Sequence, residues 1–234
     1  MTAKQLDMAP DAVDDMYDGC RKQAMEKFID SGLLRKELNS SDDFQRAWSS
    51  GCSKLIKGGR KEHTAALLAY AIGNDESTRP FDNAVETMGG NVSTYENHFH
   101  FKALHFLLMD SMSLQKPQTC KTVHLLEEEY KANVGSKVRF GKFQKVHSNY
   151  TVLKKLDDWD GLVVFNITTC FFVNLGDNVC SEVQDMALLS PSEVFTVESV
   201  TEMTDDVDQT TYTEIILKHS AEQESLHNCY IFSR

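Results

Sequence analysis

Tyr95-Glu96-Asn97-His98-Phe99-His100-Phe101-Lys102-Ala103-Leu104-His105-Phe106-Leu107-Leu108-Met109-Asp110-Ser111-Met112-Ser113-Leu114 is the stretch on which the fold turns. Apolar side chains at Phe99, Phe101, Leu104, Phe106, Leu107, Leu108 and Met112 recur at helical spacing and predict a helix over residues 95–114, ended by Pro117. Upstream, the same criteria predict helices over residues 11–29, 43–56, 61–72 and 79–88, with Ser40-Ser41-Asp42-Asp43 as caps and Gly73-Asn74 and Gly89-Gly90 as stops. Downstream the character changes. Residues 122–126, 137–143, 162–172, 186–189, 193–200 and 212–217 are short, β-branched and aromatic, with turn-like stretches between them. The acidic stretch 202–209 reads as the connection of a final hairpin. Helices followed by strands, without β-α alternation, predict an α+β fold with a mainly antiparallel or mixed sheet. The chain is expected to be a single domain, 1–234, with a helical lobe over 1–118 and a β-rich lobe over 119–234.

Composition narrows the function. Of the 234 residues, 24 are basic and 35 acidic, giving a net charge of 24 − 35 = −11, which repels phosphate backbones and argues against nucleic acid as a partner. No apolar run reaches the ~20 residues needed to cross a bilayer. Gly-x-Gly-x-x-Gly and Walker A patterns are absent, which excludes Rossmann and P-loop nucleotide binding. The six cysteines, Cys20, Cys52, Cys120, Cys170, Cys180 and Cys229, form no CxxC pair, so no structural zinc is expected and an even count suits disulfides. N-x-S/T sequons stand at Asn39, Asn91, Asn149 and Asn166. Cysteines and sequons together point to a secreted or cell-surface protein. Asn166 lies in a buried-looking strand, which leaves Asn39, Asn91 and Asn149 as glycosylation candidates. Met1 is followed by no apolar leader and Arg234 by no apolar tail, so any signal peptide or lipid-anchor signal is expected to lie outside this chain.

An ordered set of segments carries a resemblance. Leu6-Asp7-Met8-Ala9-Pro10 leads to Asp14-Asp15-Met16-Tyr17 and Cys20, then Phe44 with Trp48, Ala69-Tyr70, and Phe81 with Asn83-Ala84-Val85. Next stand Phe99 to Leu108 and Lys137-Val138-Arg139-Phe140-Gly141-Lys142-Phe143. Pro191, Glu193-Val194-Phe195, Tyr212-Thr213-Glu214-Ile215 and His227-Asn228-Cys229 complete the set. In this order they resemble the vertebrate arginine-specific ecto-ADP-ribosyltransferases, and the chain looks like a fish-type member. The resemblance implies a helical lobe packed on a split sheet, disulfides Cys20–Cys229 and Cys120–Cys170, and transfer of ADP-ribose from NAD to arginine. Cys52 and Cys180 are not standard family cysteines. They pair or stay free, and a third disulfide is favoured because a lone exposed thiol is hazardous in an oxidising compartment.

The family's triad is an arginine, a serine and a glutamate. The arginine clamps the dinucleotide phosphates with a bidentate fork. The serine positions the nicotinamide ribose, and the glutamate stabilises an oxocarbenium-like transition state while a preceding glutamate engages the acceptor. Those positions fall here on Leu125, Lys145, Met186 and Gln184. A one-residue slip to Asp185 reverses the face of the strand, and Glu182 lies four residues too early. No catalytic residue, bound cofactor or metal is therefore expected. The favoured function is a catalytically degenerate homologue, a pseudoenzyme that binds a protein partner or small ligand in a remodelled NAD cleft. Cleft candidates are His124, Phe143, Lys145 and His147. An active transferase or NAD glycohydrolase using residues outside the family pattern is the first alternative, and a purely structural extracellular protein the second. NAD enters only under the first. Glu127-Glu128-Glu129, a superficial Glu-x-Glu, reads as a solvated acidic turn, and His98, His100 and His105 as scaffold histidines without metal-ligand spacing.

Overall fold

The computed structural model describes residues 3–49, 52–116, 119–155, 158–181, 183, 185–207, 209–221 and 225–232. The chain opens with a short strand, β1 (Lys4–Gln5), then helix α1 (Arg21–Ala24), a π-helical turn over Met25–Asp30, α2 (Leu33–Leu38), α3 (Asp42–Trp48), α4 (Lys61–Ile72), α5 (Asp75–Thr87), α6 (Val92–His98) and α7 (Lys102–Leu114). There follow β2 (Lys121–Glu127), β3 (Tyr130–Lys131), β4 (Lys137–Val138), β5 (Gln144–His147), α8 (Tyr150–Lys154), β6 (Val163–Thr169), β7 (Phe172–Asn174), α9 (Leu175–Asn178), β8 (Met186–Leu189), β9 (Val194–Thr204) and β10 (Thr211–Ala221). Strands β4-β9-β10-β6-β2-β5-β8-β7 form one mixed, mainly antiparallel sheet in which only β6 and β10 run parallel. β1 pairs with β3 beside it. The expected α+β class holds.

Two large apolar clusters divide the interior among the described residues, with a small third one at Leu153, Trp159 and Val164. Phe28, Leu67, Phe106 and Leu107 centre the helical one, and Val123, Phe165, Phe195 and Ile215 the other. Strand β8 serves both: Leu188 joins the helical cluster while Ala187 and Leu189 join the sheet cluster. That is the period-two alternation of a strand with two covered faces.

Where the structure departs from the sequence expectation, specific hydrogen bonds are the cause, most of them between residues far apart in sequence. Residues 11–20 carry helical periodicity but are not helical. Asp14 and Asp15 instead accept hydrogen bonds from the backbone N–H groups of Leu226, His227, Cys229 and Tyr230. Asp14 also pairs with fully buried Arg139 at 2.7 Å. Arg139 donates further to the Met8 and Ala9 carbonyls, so the expected 137–143 strand ends at Val138. Gly141 then turns with φ 71°, where a Cβ would lie 2.5 Å from the Ala9 methyl.

The expected 95–114 helix is two helices. Buried Glu37 accepts from the Ala103 and Leu104 amides and starts α7 afresh after a break at Phe99–Phe101. The helix expected from residue 79 begins at Asp75, because the Asn74 side chain caps it by accepting from Ser77 N at 2.8 Å. The expected 162–172 strand breaks after Thr169, where Glu193 accepts from Thr169 Oγ1 at 2.6 Å and Cys170 N at 2.9 Å.

His105 is a satisfied core histidine. Its Nε2 donates to the Val13 carbonyl and its Nδ1 accepts from Tyr17 Oη, and burial pushes its pKa down to about 4. Disulfides Cys20–Cys229, Cys52–Cys180 and Cys120–Cys170 are all formed, so the third pair that the sequence left open is closed. No described helix is long and apolar enough to cross a membrane.

Candidate active-site cleft

A cleft of ≈ 500 Å³ opens between the strands and the α4–α5 helices. One wall is the end of β2 with β5 and the first residue of β8. The facing wall comes from Tyr70, Asp75, Thr78, Arg79 and Asp82. Leu125, Lys145 and Met186, far apart in sequence, all line it. The antiparallel register explains two of them: β5 pairs with β8 so that His147 faces Met186 and Lys145 faces Leu188, which puts Lys145, His147 and Met186 on one face.

Each side chain does something definite. Lys145 reaches across the cleft and donates from Nζ to the Gly73 carbonyl at 2.5 Å, with its ammonium 5.7 Å from the centre of the Tyr70 ring. Burial holds that ammonium below the usual lysine range. Leu125 is only 7% exposed and packs into the sheet's apolar cluster. Met186 is half-buried against the helical cluster. Phe143 is buried, stacks on Phe81 at 5.7 Å, and its carbonyl accepts from Tyr70 Oη at 3.0 Å. Asp82 Oδ1 lies closer, at 2.8 Å, so the single Tyr70 hydroxyl hydrogen is shared between the two acceptors. His147 pairs through Nδ1 with Asp185 Oδ2 at 3.1 Å. His124 sits directly opposite His147 in the ladder yet is not part of the cleft wall. Its ring meets Tyr150 edge-on at 5.3 Å, and burial lowers its pKa. Gln184 and Glu182 lie outside the described residues.

Glu127 is a correction. It is the last residue of β2, lines the cleft and lies 4.0 Å from Lys142, and burial raises its pKa, so it is no solvated turn residue. Glu128 and Glu129 are exposed. The cleft's charges offset one another: Arg79, Lys142 and Lys145 stand against Asp75, Asp82 and Glu127. Among these, Asp75, Arg79, Asp82 and Lys142 carried no chemistry in the sequence. The 70–83 segment contributes Tyr70, Phe81 and Asn83 to the family's motif set but nothing that marks its charged residues as a site, and only tertiary packing sets it opposite β5. Among the described residues the one grouping of three metal-binding side chains is Asp15, Cys20 and Cys229, and both of those sulfurs are spent in a disulfide.

A helical lobe on a mainly antiparallel eight-stranded sheet, with a cleft between them, is the ADP-ribosyltransferase fold. The solved eukaryotic mono-ADP-ribosyltransferase ART2.2, in a mutant form bound to NAD, superposes with a TM-score of 0.77 at 26% identity, covering 97% of this chain and 99% of that one. The family model described as NAD:arginine ADP-ribosyltransferase matches residues 6–225. The chain belongs to that family. It is 30% identical over 210 residues to the erythroblast NAD(P)(+)–arginine ADP-ribosyltransferase of Gallus gallus, covering 84% of this chain and 68% of that protein. To the ecto-ADP-ribosyltransferase 4 of Homo sapiens it is 27% identical over 209 residues, 82% of this chain and 64% of the human one.

Proposed function

We propose that this protein is a secreted or cell-surface member of the family that has lost ADP-ribosyl transfer and acts by binding a protein partner or small ligand in its remodelled cleft. The observation that carries the proposal is Lys145. Where the resemblance places the ribose-positioning hydroxyl, a half-buried ammonium spans the cleft and is tied to the Gly73 carbonyl at 2.5 Å. Beside it, Leu125 has no donor for a diphosphate and Met186 no charge for an oxocarbenium ion. Removal of a single electrostatic stabiliser typically costs ~100–1000-fold in rate, and here the fork, the hydroxyl and the acid are all replaced. The offsetting charges of the wall leave a diphosphate no surplus of positive potential. The three disulfides fit an oxidising compartment, and the ecto-enzymes among its relatives fit the same placement.

The test is incubation with labelled NAD and an arginine-rich acceptor, with free nicotinamide and labelled acceptor both measured. The expected result is neither product above the protein-free control, and calorimetry should show NAD binding weaker than millimolar. Steady nicotinamide release would overturn the proposal and send the search for catalysis to His147 and Asp185.

A further inference from the structure

A second concavity backs onto the cleft. It has a volume of ≈ 320 Å³ and lies among α3, the end of α4, the start of α5 and the start of α7. Tyr70 and Thr78 line both spaces, so they form the partition between them. Its other lining is mostly apolar: Phe44, Phe81, Phe101, Leu104 and Ile72. Phe44 and Phe101 are only half-buried, and Ile72 is 50% exposed. Helix α4 therefore ends with a large aliphatic side chain open to whatever enters. Isolated exposed apolar residues need no explanation, but several converging on one concavity mark a ligand site.

We propose that this cavity is a binding site for a small, uncharged aromatic molecule carrying one hydrogen-bond donor, of the phenol or indole class. Volume sets the size: ≈ 320 Å³ is at the lower end of the ~300–1,000 Å³ range of small-molecule pockets and admits a single or fused ring, not a dinucleotide. The aromatic edges and faces of Phe44, Phe81 and Phe101 set the ring character, through offset and edge-to-face contacts. Charge sets neutrality. The wall contains one acid, Glu37, which burial discourages from ionising, and one base, Arg46, so it offers no surplus of either charge to replace the hydration an ion loses on entry. Glu37 also sets the donor. Its two oxygens accept amide hydrogens from Ala103 and Leu104, and in either protonation state they keep lone-pair capacity beyond those bonds. The site is independent of NAD chemistry and does not rest on the cleft being inactive.

The probe is 4-fluorophenol, titrated into the intact, disulfide-bonded protein by fluorine NMR, with benzoate and decanoate titrated in parallel. Saturable one-site binding is expected, with intermolecular NOEs to the Phe44 and Phe101 rings and no comparable binding of either anion. Ile72→Trp, at an exposed position on the rim, should fill the entrance and weaken binding about tenfold or more. Phe44→Ala, which removes a ring that α3 contributes to the lining, is the second variant and should weaken binding even if the first does not fold. Absence of saturable binding in the millimolar range would overturn the proposal. So would affinity unchanged in both variants, NOEs to the cleft residues Lys145 and Met186 instead, or tighter binding of decanoate, which would make this an acyl-chain site.

Discussion

Replacing Lys145 with serine isolates what the lysine does. In the folded protein its ammonium makes one short hydrogen bond to Gly73 O while burial opposes its charge. A hydrogen bond to a charged group contributes ~1.5–3 kcal/mol, and the relieved desolvation offsets part of that. A net loss of about 1 kcal/mol is expected, which for a chain of this size lowers Tm by ~2–4 °C. The cleft is thereby opened and regains its hydroxyl, yet Leu125 and Met186 are unchanged. Each missing electrostatic group accounts for ~100–1000-fold, and groups that act as a unit do not contribute separately. Lys145→Ser alone should therefore release no measurable nicotinamide. Leu125→Arg, Lys145→Ser and Met186→Glu together, with Gln184→Glu added for arginine acceptors, should exceed it by ~100-fold or more. Leu125 is 7% exposed, so the new guanidinium must reach past the sheet's apolar cluster toward the cleft, where Glu127 is a partner of opposite charge. Met186→Glu alone should be less well tolerated than the triple variant, because Lys145 is tied to the Gly73 carbonyl and the arginine that would answer the new carboxylate is absent. The assay is nicotinamide release, run beside a thermal melt of each variant. Release by Lys145→Ser alone would refute the argument that three groups are missing. Release by the unmodified protein at a rate the triple variant does not exceed would refute the loss of activity itself.

Further outcomes can be measured directly. His105 is held near pKa 4 by burial against an unfolded value near 6.5, so its contribution is intact above about pH 6.5 and is lost as pH falls towards 4, amounting to ~3 kcal/mol. Asp15 and Glu37 are raised to about 6 and about 7 and act in the opposite sense. The component therefore shows as the difference between the unfolding free energies of the protein and of His105→Gln across that window, and a pH-independent difference would exclude it. Removing the Cys20–Cys229 bond as a double alanine variant opens a loop with a sequence separation of 209, for which chain-entropy models allow ~5 kcal/mol. Chemical denaturation should show a loss of that order or less, and an unchanged midpoint would contradict it. Expression in a glycosylating host should place glycan on Asn39, Asn91 and Asn149, which are exposed, and not on half-buried Asn166, as read by peptide mapping.

The sequence alone was sufficient where a local rule or an ordered motif set decided the matter. Periodicity over 61–72 predicted α4 over the same residues, Lys61–Ile72, and the β-rich second half predicted the strands of the sheet. The family resemblance carried two disulfides, while the third followed from an argument about thiols. It also singled out Leu125, Lys145 and Met186 as positions that one cleft then proved to share. Tertiary structure decided what local rules cannot weigh. Asp14 and Asp15 forgo a helix because buried carboxylates gain more from Arg139 and from the backbone of residues 226–230 than from their own helical turn. Glu37 divides a long apolar helix from sixty-odd residues away, since an unsatisfied helix N-terminus inside the core would cost several amide hydrogen bonds. Glu127 is drawn partly out of solvent by the cleft wall and stands 4.0 Å from Lys142. Tyr70, Asp75, Arg79 and Asp82 carry no pattern pointing to a site, and they become one wall of the cleft only when α4 and α5 pack opposite β5. Burial of a charge and the partner that neutralises it are properties of the folded chain, because both depend on residues that sequence distance keeps apart.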